Sequence, residues 1–123
     1  MTAELLGHAR ALIERPQGSG GVWPRAAALL TRQVLEEALD RLWLAIYPGV
    51  GQASRATQLA CLGLMITDAR LVADVRSAWA SLSRACHHHH YELGPTAAEL
   101  ERWILQTEHL VEALRVSNSL PET

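Results

Sequence analysis

The chain contains no lysine and no phenylalanine, so every fixed basic side chain is Arg. Aromatics make up only 5% of it, while Ala and Leu are abundant. Both lose little on entering a helix, so the balance favours helix over sheet. Basic excess is also lacking. The net charge is −2 with His neutral, which argues against a sequence-independent DNA binder with a broad basic surface. A small nucleic-acid site stays open, because six His can add positive charge locally. Two cysteines, Cys61 and Cys86, are too few for the disulfide framework of a secreted mini-protein. Both fall in apolar helical patterns and read as buried free thiols. No basic segment followed by an apolar run opens the chain, so no signal peptide is expected. No apolar stretch reaches the ~18 residues of a membrane span. The expectation is a cytoplasmic protein with no membrane partner.

What is present fits one domain. With 123 residues, 49% hydrophobic and 20% charged, the chain can bury roughly two thirds of its unfolded surface without staples. The expected extent is residues 1–116, followed by a frayed tail over 117–123. A first helix is expected from Ala3 to Glu14, with Thr2 as N-cap and an apolar stripe of Leu5, Leu6, Ala9, Leu12 and Ile13. Pro16 and Gly18 to Gly21 end it in a loop. A second, long helix begins near Pro24 and runs to about Ile46, with Leu35, Leu39, Leu42 and Ile46 inward. Glu36, Glu37 and Asp40 read as a solvated face. Pro48, Gly49 and Gly51 mark a loop. A third helix spans about Arg55 to Ile66.

A corner at Thr67–Asp68 leads to a fourth helix, whose apolar face is Leu71, Val75, Trp79, Leu82 and Cys86. A fifth follows Gly94–Pro95, where Thr96 and Glu99 have capping-box spacing. The four Trp read as core or loop anchors. No strand, repeat or linker is evident. The fold class is all-α, an antiparallel four- to five-helix bundle.

The fourth helix carries a second stripe: Ala73, Ser77, Ala80, Ser81 and Arg84, nearly all small, opposite the apolar face. Such a face seats another helix closely, either the first or fifth of this chain or a second copy across a two-fold axis.

Chemistry concentrates between Arg84 and Tyr91, where His87 to His90 form an unbroken run. Three uses compete. Histidines near a helix C-terminus interact favourably with the macrodipole and serve as caps. Alternatively, His87 and His90, at i, i+3, share a metal ion, with the Cys86 thiolate, Glu108 or His109 completing the site. No HExxH or CxxC pattern supports this, and neither metal nor other cofactor is expected. The third use is RNA cleavage. It needs a base for the 2′-OH, an acid for the leaving oxygen and a cation for the phosphorane charge. His suits the proton steps and Arg the phosphate.

Arg84, four residues, His89, one residue and Tyr91 form an R-x4-H-x-Y pattern at the end of a long helix. In a small all-helical chain this resembles the HEPN superfamily, the higher eukaryotes and prokaryotes nucleotide-binding domains. The helical layout matches over most of the chain; only the short motif is specific. The resemblance implies a metal-independent endoribonuclease acting as a homodimer, with Arg and His of both subunits in one cleft. It also implies a possible toxin or defence role with an antitoxin partner. By that resemblance Arg84 binds the scissile phosphate, His89 is the acid/base and Tyr91 hydrogen-bonds the phosphate or supports His89. The family often has Asn, Asp or His directly after the Arg; here that residue is Ala85. On an ideal helix His88 lies about 40° from Arg84 and His89 about 140°. The choice among His88, His89 and His90 therefore stays open. A non-catalytic HEPN-like module binding nucleotide, RNA or protein is the alternative, and a His-cluster metal binder the third.

Overall fold

The computed structural model describes residues 2–14, 22–87 and 94–119. Among them the protein is an all-α bundle of six helices. These are α1 (Thr2–Glu14), α2 (Val22–Ile46), α3 (Pro48–Gly51), α4 (Arg55–Met65), α5 (Ala69–Cys86) and α6 (Ala97–Ser119). No strand occurs among the described residues.

Helix α2 is the hub. It packs on α1, α3, α5 and α6, and α5 and α6 also pack on each other. The core lies inside that triangle. Leu35, Leu39 and Trp43 of α2 meet Val75 and Leu82 of α5 and Leu100, Ile104 and Leu110 of α6, all fully buried. Helix α1 lies on α2 and α6, whereas α4 joins through α3 and α5. Arg76 strengthens the latter junction, donating from Nε to the Leu59 carbonyl (2.9 Å) and from Nη2 to that of Ala60 (3.1 Å).

Local sequence explains the helix ends. Ser54 Oγ accepts from the Thr57 amide at the start of α4 (3.2 Å). Asp68 Oδ1 accepts from the amides of Arg70 (3.0 Å) and Leu71 (3.1 Å) at the start of α5. Thr96 and Glu99 close the expected capping box. The Thr96 amide donates to Glu99 Oε1 (3.0 Å) and the Glu99 amide to Thr96 Oγ1 (3.1 Å). Each side-chain oxygen satisfies an amide that the helix leaves without an internal partner.

Four expectations need correction. Thr2 lies within the first turn of α1 rather than before it. Residues 48–51 form a one-turn helix rather than a loop, because buried Gln58 gathers the carbonyls of Val50, Gly51 and Ala53 with its Nε2, each at 3.2 Å. Helix α6 continues to Ser119, past the expected domain end at residue 116; 120–123 lie outside the described residues. Cys61 is only half-buried, while Cys86 is buried as expected. The loop around Gly18 to Gly21 also lies outside the described residues.

Arg10 ties the N-terminal helix to the C-terminal one. Its Nη1 and Nη2 donate to the two Glu108 oxygens (2.7 and 2.8 Å), and its Nε donates to Glu101 Oε1 (2.9 Å). The Arg10 hydrogen bonds hold the Glu108 carboxyl below the ordinary carboxylate range, against an opposing effect of burial. A carboxylate with a lowered folded-state pKa contributes stability above its unfolded value of about 4.3, and that contribution disappears as pH falls through the folded value. Glu108→Gln is therefore expected to be less stable than wild type at pH 6. The gap should narrow as the pH drops below about 4. Urea unfolding at pH 6 and pH 3 checks this, and a gap independent of pH would contradict it.

Candidate functional site at the end of helix α5

Helix α5 buries Val72, Val75, Ala78, Leu82, Ala85 and Cys86. Leu71 and Trp79, expected on the inner face, sit half-buried at its edges. The inner arc is centred on small residues because both α2 and α6 press against this helix. Opposite, Ala73, Ser77, Ala80 and Arg84 are exposed and Ser81 is half-buried. No helix of this chain covers that stripe among the described residues, so the intramolecular seating of α1 or of α6 over it is not realised.

One edge of the stripe borders an open groove of about 310 Å³ between α5 and α6. Ser77, Ser81 and Arg84 line it from α5, at i, i+4 and i+7, with Glu99, Arg102 and Gln106 facing them from α6. Gly94 and Pro95 border it beside the start of α6. Both Arg side chains are exposed. Among the described residues the Glu99 carboxyl is the only anion lining the groove, and hydrogen bonds from the amide and hydroxyl of Thr96 hold its pKa low. Its Oε1 is committed to the capping box. Gln106 Oε1 is buried with no hydrogen-bond partner among the described residues. With two cations, one anion, two hydroxyls and an amide, the groove has the chemistry of a site for one negatively charged oxygen cluster.

Arg102 is a groove residue that sequence reasoning missed. Its signal was the polar series Glu99, Arg102 and Gln106 on the helix opened by the capping box, at i, i+3 and i+7. That spacing puts three polar groups on one face just after the histidine segment.

The histidine segment itself divides. Helix α5 stops at Cys86, and His87 is its C-cap with φ −112° and ψ 12°. The helical projection of His88 and His89 relative to Arg84 falls on residues outside the described ones. His87 does not line the groove. Its Nε2 lies 3.5 Å from Nη1 of Arg32 on α2. His88, His89, His90 and Tyr91 lie outside the described residues.

His87 borders a second charged cluster. Arg32 lies over the Trp79 ring at 4.9 Å and Arg55 at 5.9 Å. Glu36 bridges the two guanidinium groups, at 3.0 Å from Arg32 and 3.4 Å from Arg55, and Asp40 adds a 2.9 Å contact to Arg55. The acidic positions of α2 are thus not a plain solvated face: Glu36 and Asp40 clamp cations on Trp79, and Glu37 is half-buried. Trp79 anchors this ion-pair layer to α5 and is not free to stack on a base. Every charge in the layer is compensated, which makes it a structural element.

Burial raises the Cys86 pKa, with Arg32 opposing the shift incompletely. A thiol so placed stays protonated near neutrality and is a weak nucleophile. No group of three or more His, Cys, Asp or Glu is poised to hold a metal among the described residues. Nor is any described helix long and apolar enough to cross a membrane. No protein-family model, curated protein or solved structure matches this chain, so a functional reading has to come from the groove itself.

Proposed function

We propose that the groove between α5 and α6 binds the phosphodiester backbone of RNA, and that the chain is a HEPN-like, metal-independent endoribonuclease working as a homodimer. The observation that carries this reading is the pairing of Arg84 with Arg102 in one open polar groove, where the chain enters the histidine run. Arg84 would donate two charge-assisted hydrogen bonds to the scissile phosphate. His89, with His88 or His90 as neighbour, would take the proton of the 2′-OH. As the 2′ oxygen bonds to phosphorus, the bond to the 5′ oxygen breaks and that oxygen receives a proton. The products are a 2′,3′-cyclic phosphate and a 5′-hydroxyl. Tyr91 would support the phosphate or His89. The exposed stripe of Ala73, Ser77 and Ala80, which leads to Arg84, supports a second copy packing there. Its substrate would be a cytoplasmic RNA, and an antitoxin partner would act by covering the same groove.

One observation favours a binding module instead. Ala85 is buried, His87 faces Arg32, and so the described part of the segment supplies phosphate ligands but no proton carrier. Labelled single-stranded RNA incubated in EDTA separates the two readings. Cleavage leaving cyclic-phosphate ends, reduced by about 10²–10⁴-fold in His89→Ala, is expected. Retention of RNA by the folded wild type without turnover would replace the nuclease by the binding module.

A further inference from the structure

On another part of the molecule, α1, α2, α6 and the end of α4 border an open cleft of about 790 Å³. This is within the ~300–1,000 Å³ of small-molecule sites. Buried Leu6, Ala38 and Leu42 form its floor, and Ile46, Met65 and Leu114 stand at its sides. Ile46 and Met65 remain 47% and 38% exposed. Apolar side chains thus continue from floor to mouth.

Five charged or titratable residues also line the cleft: Arg41, Glu108, His109, Glu112 and Arg115. Their pairing decides what the cleft selects. Glu108 is taken by Arg10 through two hydrogen bonds. Glu112 is taken by Arg115, at 3.1 Å from Nε and 2.7 Å from Nη2. Both carboxylates thereby have their oxygens engaged by a guanidinium, that of Arg10 being shared with Glu101. Arg41 has no ion-pair partner among the described residues; neighbouring Asp40 pairs with Arg55. The fixed charge lining the cleft that is left without an ion-pair partner among the described residues is therefore that of a cation, Arg41.

We propose that the cleft is a binding site for a small amphiphilic anion, an alkyl chain with a carboxylate head, and that Arg41 holds the head. The chain covers the Leu6, Ala38 and Leu42 floor, and the carboxylate accepts from the Arg41 guanidinium. Charge complementarity selects this occupant. A cationic amphiphile would meet Arg41 unfavourably, and both Glu carboxylates that could attract it are occupied. The site shares no residue with the α5–α6 groove and does not depend on RNA chemistry.

Titration calorimetry with hexanoate, octanoate and decanoate, all below their micellar concentrations, tests the proposal. Affinity is expected to rise roughly fourfold for each added methylene. Arg41→Gln should weaken decanoate about tenfold, as expected for loss of a charge-assisted contact. Ala45→Trp, which enlarges an exposed residue lining the cleft, should abolish binding while leaving the unfolding midpoint in place. Decyltrimethylammonium should bind at least tenfold more weakly than decanoate. Equal affinity for the two head groups, or unchanged decanoate affinity in Arg41→Gln, would overturn the assignment. So would a dimer in sedimentation that Ala45→Trp dissociates and decanoate leaves intact, since a second copy would then occupy the cleft.

Discussion

Arg84→Ala is expected to lower the rate of RNA cleavage at least a hundredfold while shifting stability by no more than about 0.5 kcal/mol. The two halves follow from the same geometry. Arg84 is exposed, in the last turn of α5, and makes no ion pair among the described residues. Removing it strands no buried ion-pair partner among the described residues. Yet it is one of two fixed cations that line the groove among the described residues, where phosphorane charge would develop. Loss of one preorganised donor to such a charge typically costs ~10²–10³-fold. Arg84→Lys should recover only part of the rate, because an ammonium keeps the charge but not the planar fork.

The effect should also appear in salt dependence. If Arg84 neutralises one phosphate, the slope of log affinity against log salt for single-stranded RNA falls by about 0.7 in the Ala variant. Full cleavage and an unchanged slope in a folded Arg84→Ala would remove RNA from this groove altogether. Comparing Arg102→Ala on the same substrate then tells whether both cations touch backbone or only one.

The parts of this molecule legible in sequence are those set by neighbours in the chain. Thr96 and Glu99 are three residues apart, and their capping box forms as the spacing requires. The apolar spacing of α2 puts Leu35, Leu39 and Leu42 inside. What sequence could not show depends on which helices meet. The inner face of α5 is rotated toward Val72, Ala78 and Ala85 because two helices press on it at once. Arg10 finds Glu108 across 98 positions of chain, and no local pattern signals such a pair. Arg102 was overlooked for a related reason: on α6 it resembles any solvated Arg, and becomes part of a groove only once α5 sets Arg84 opposite it. The small-residue stripe was legible as a stripe, but its exposure required knowing that α1 lies on α2 and α6 instead. Of the histidine run only His87 is described, as the C-cap of α5, and the choice among His88, His89 and His90 stays where the sequence left it.

Leu39→Ala is expected to destabilise the fold by about 3 kcal/mol, within the ~2–5 kcal/mol typical of buried leucines. Leu39 is fully buried on α2, the helix that touches α1, α3, α5 and α6. A cavity there has rigid helices around it, so little collapse can offset the lost contacts. Leu44, five residues on and 73% exposed, is the matched control; Leu44→Ala should stay within about 0.5 kcal/mol of wild type. Urea titration at pH 7 gives both values. With a total stability of ~5–15 kcal/mol for a domain of this kind, losing 3 kcal/mol at Leu39 leaves a measurable unfolded fraction on warming. RNA cleavage should then fall in proportion to that fraction and no further, because the groove side chains are untouched. A steeper loss would mean that α2 sets the α5–α6 spacing as well as supporting it. A loss of stability below 1 kcal/mol would place the centre of the core elsewhere than on α2.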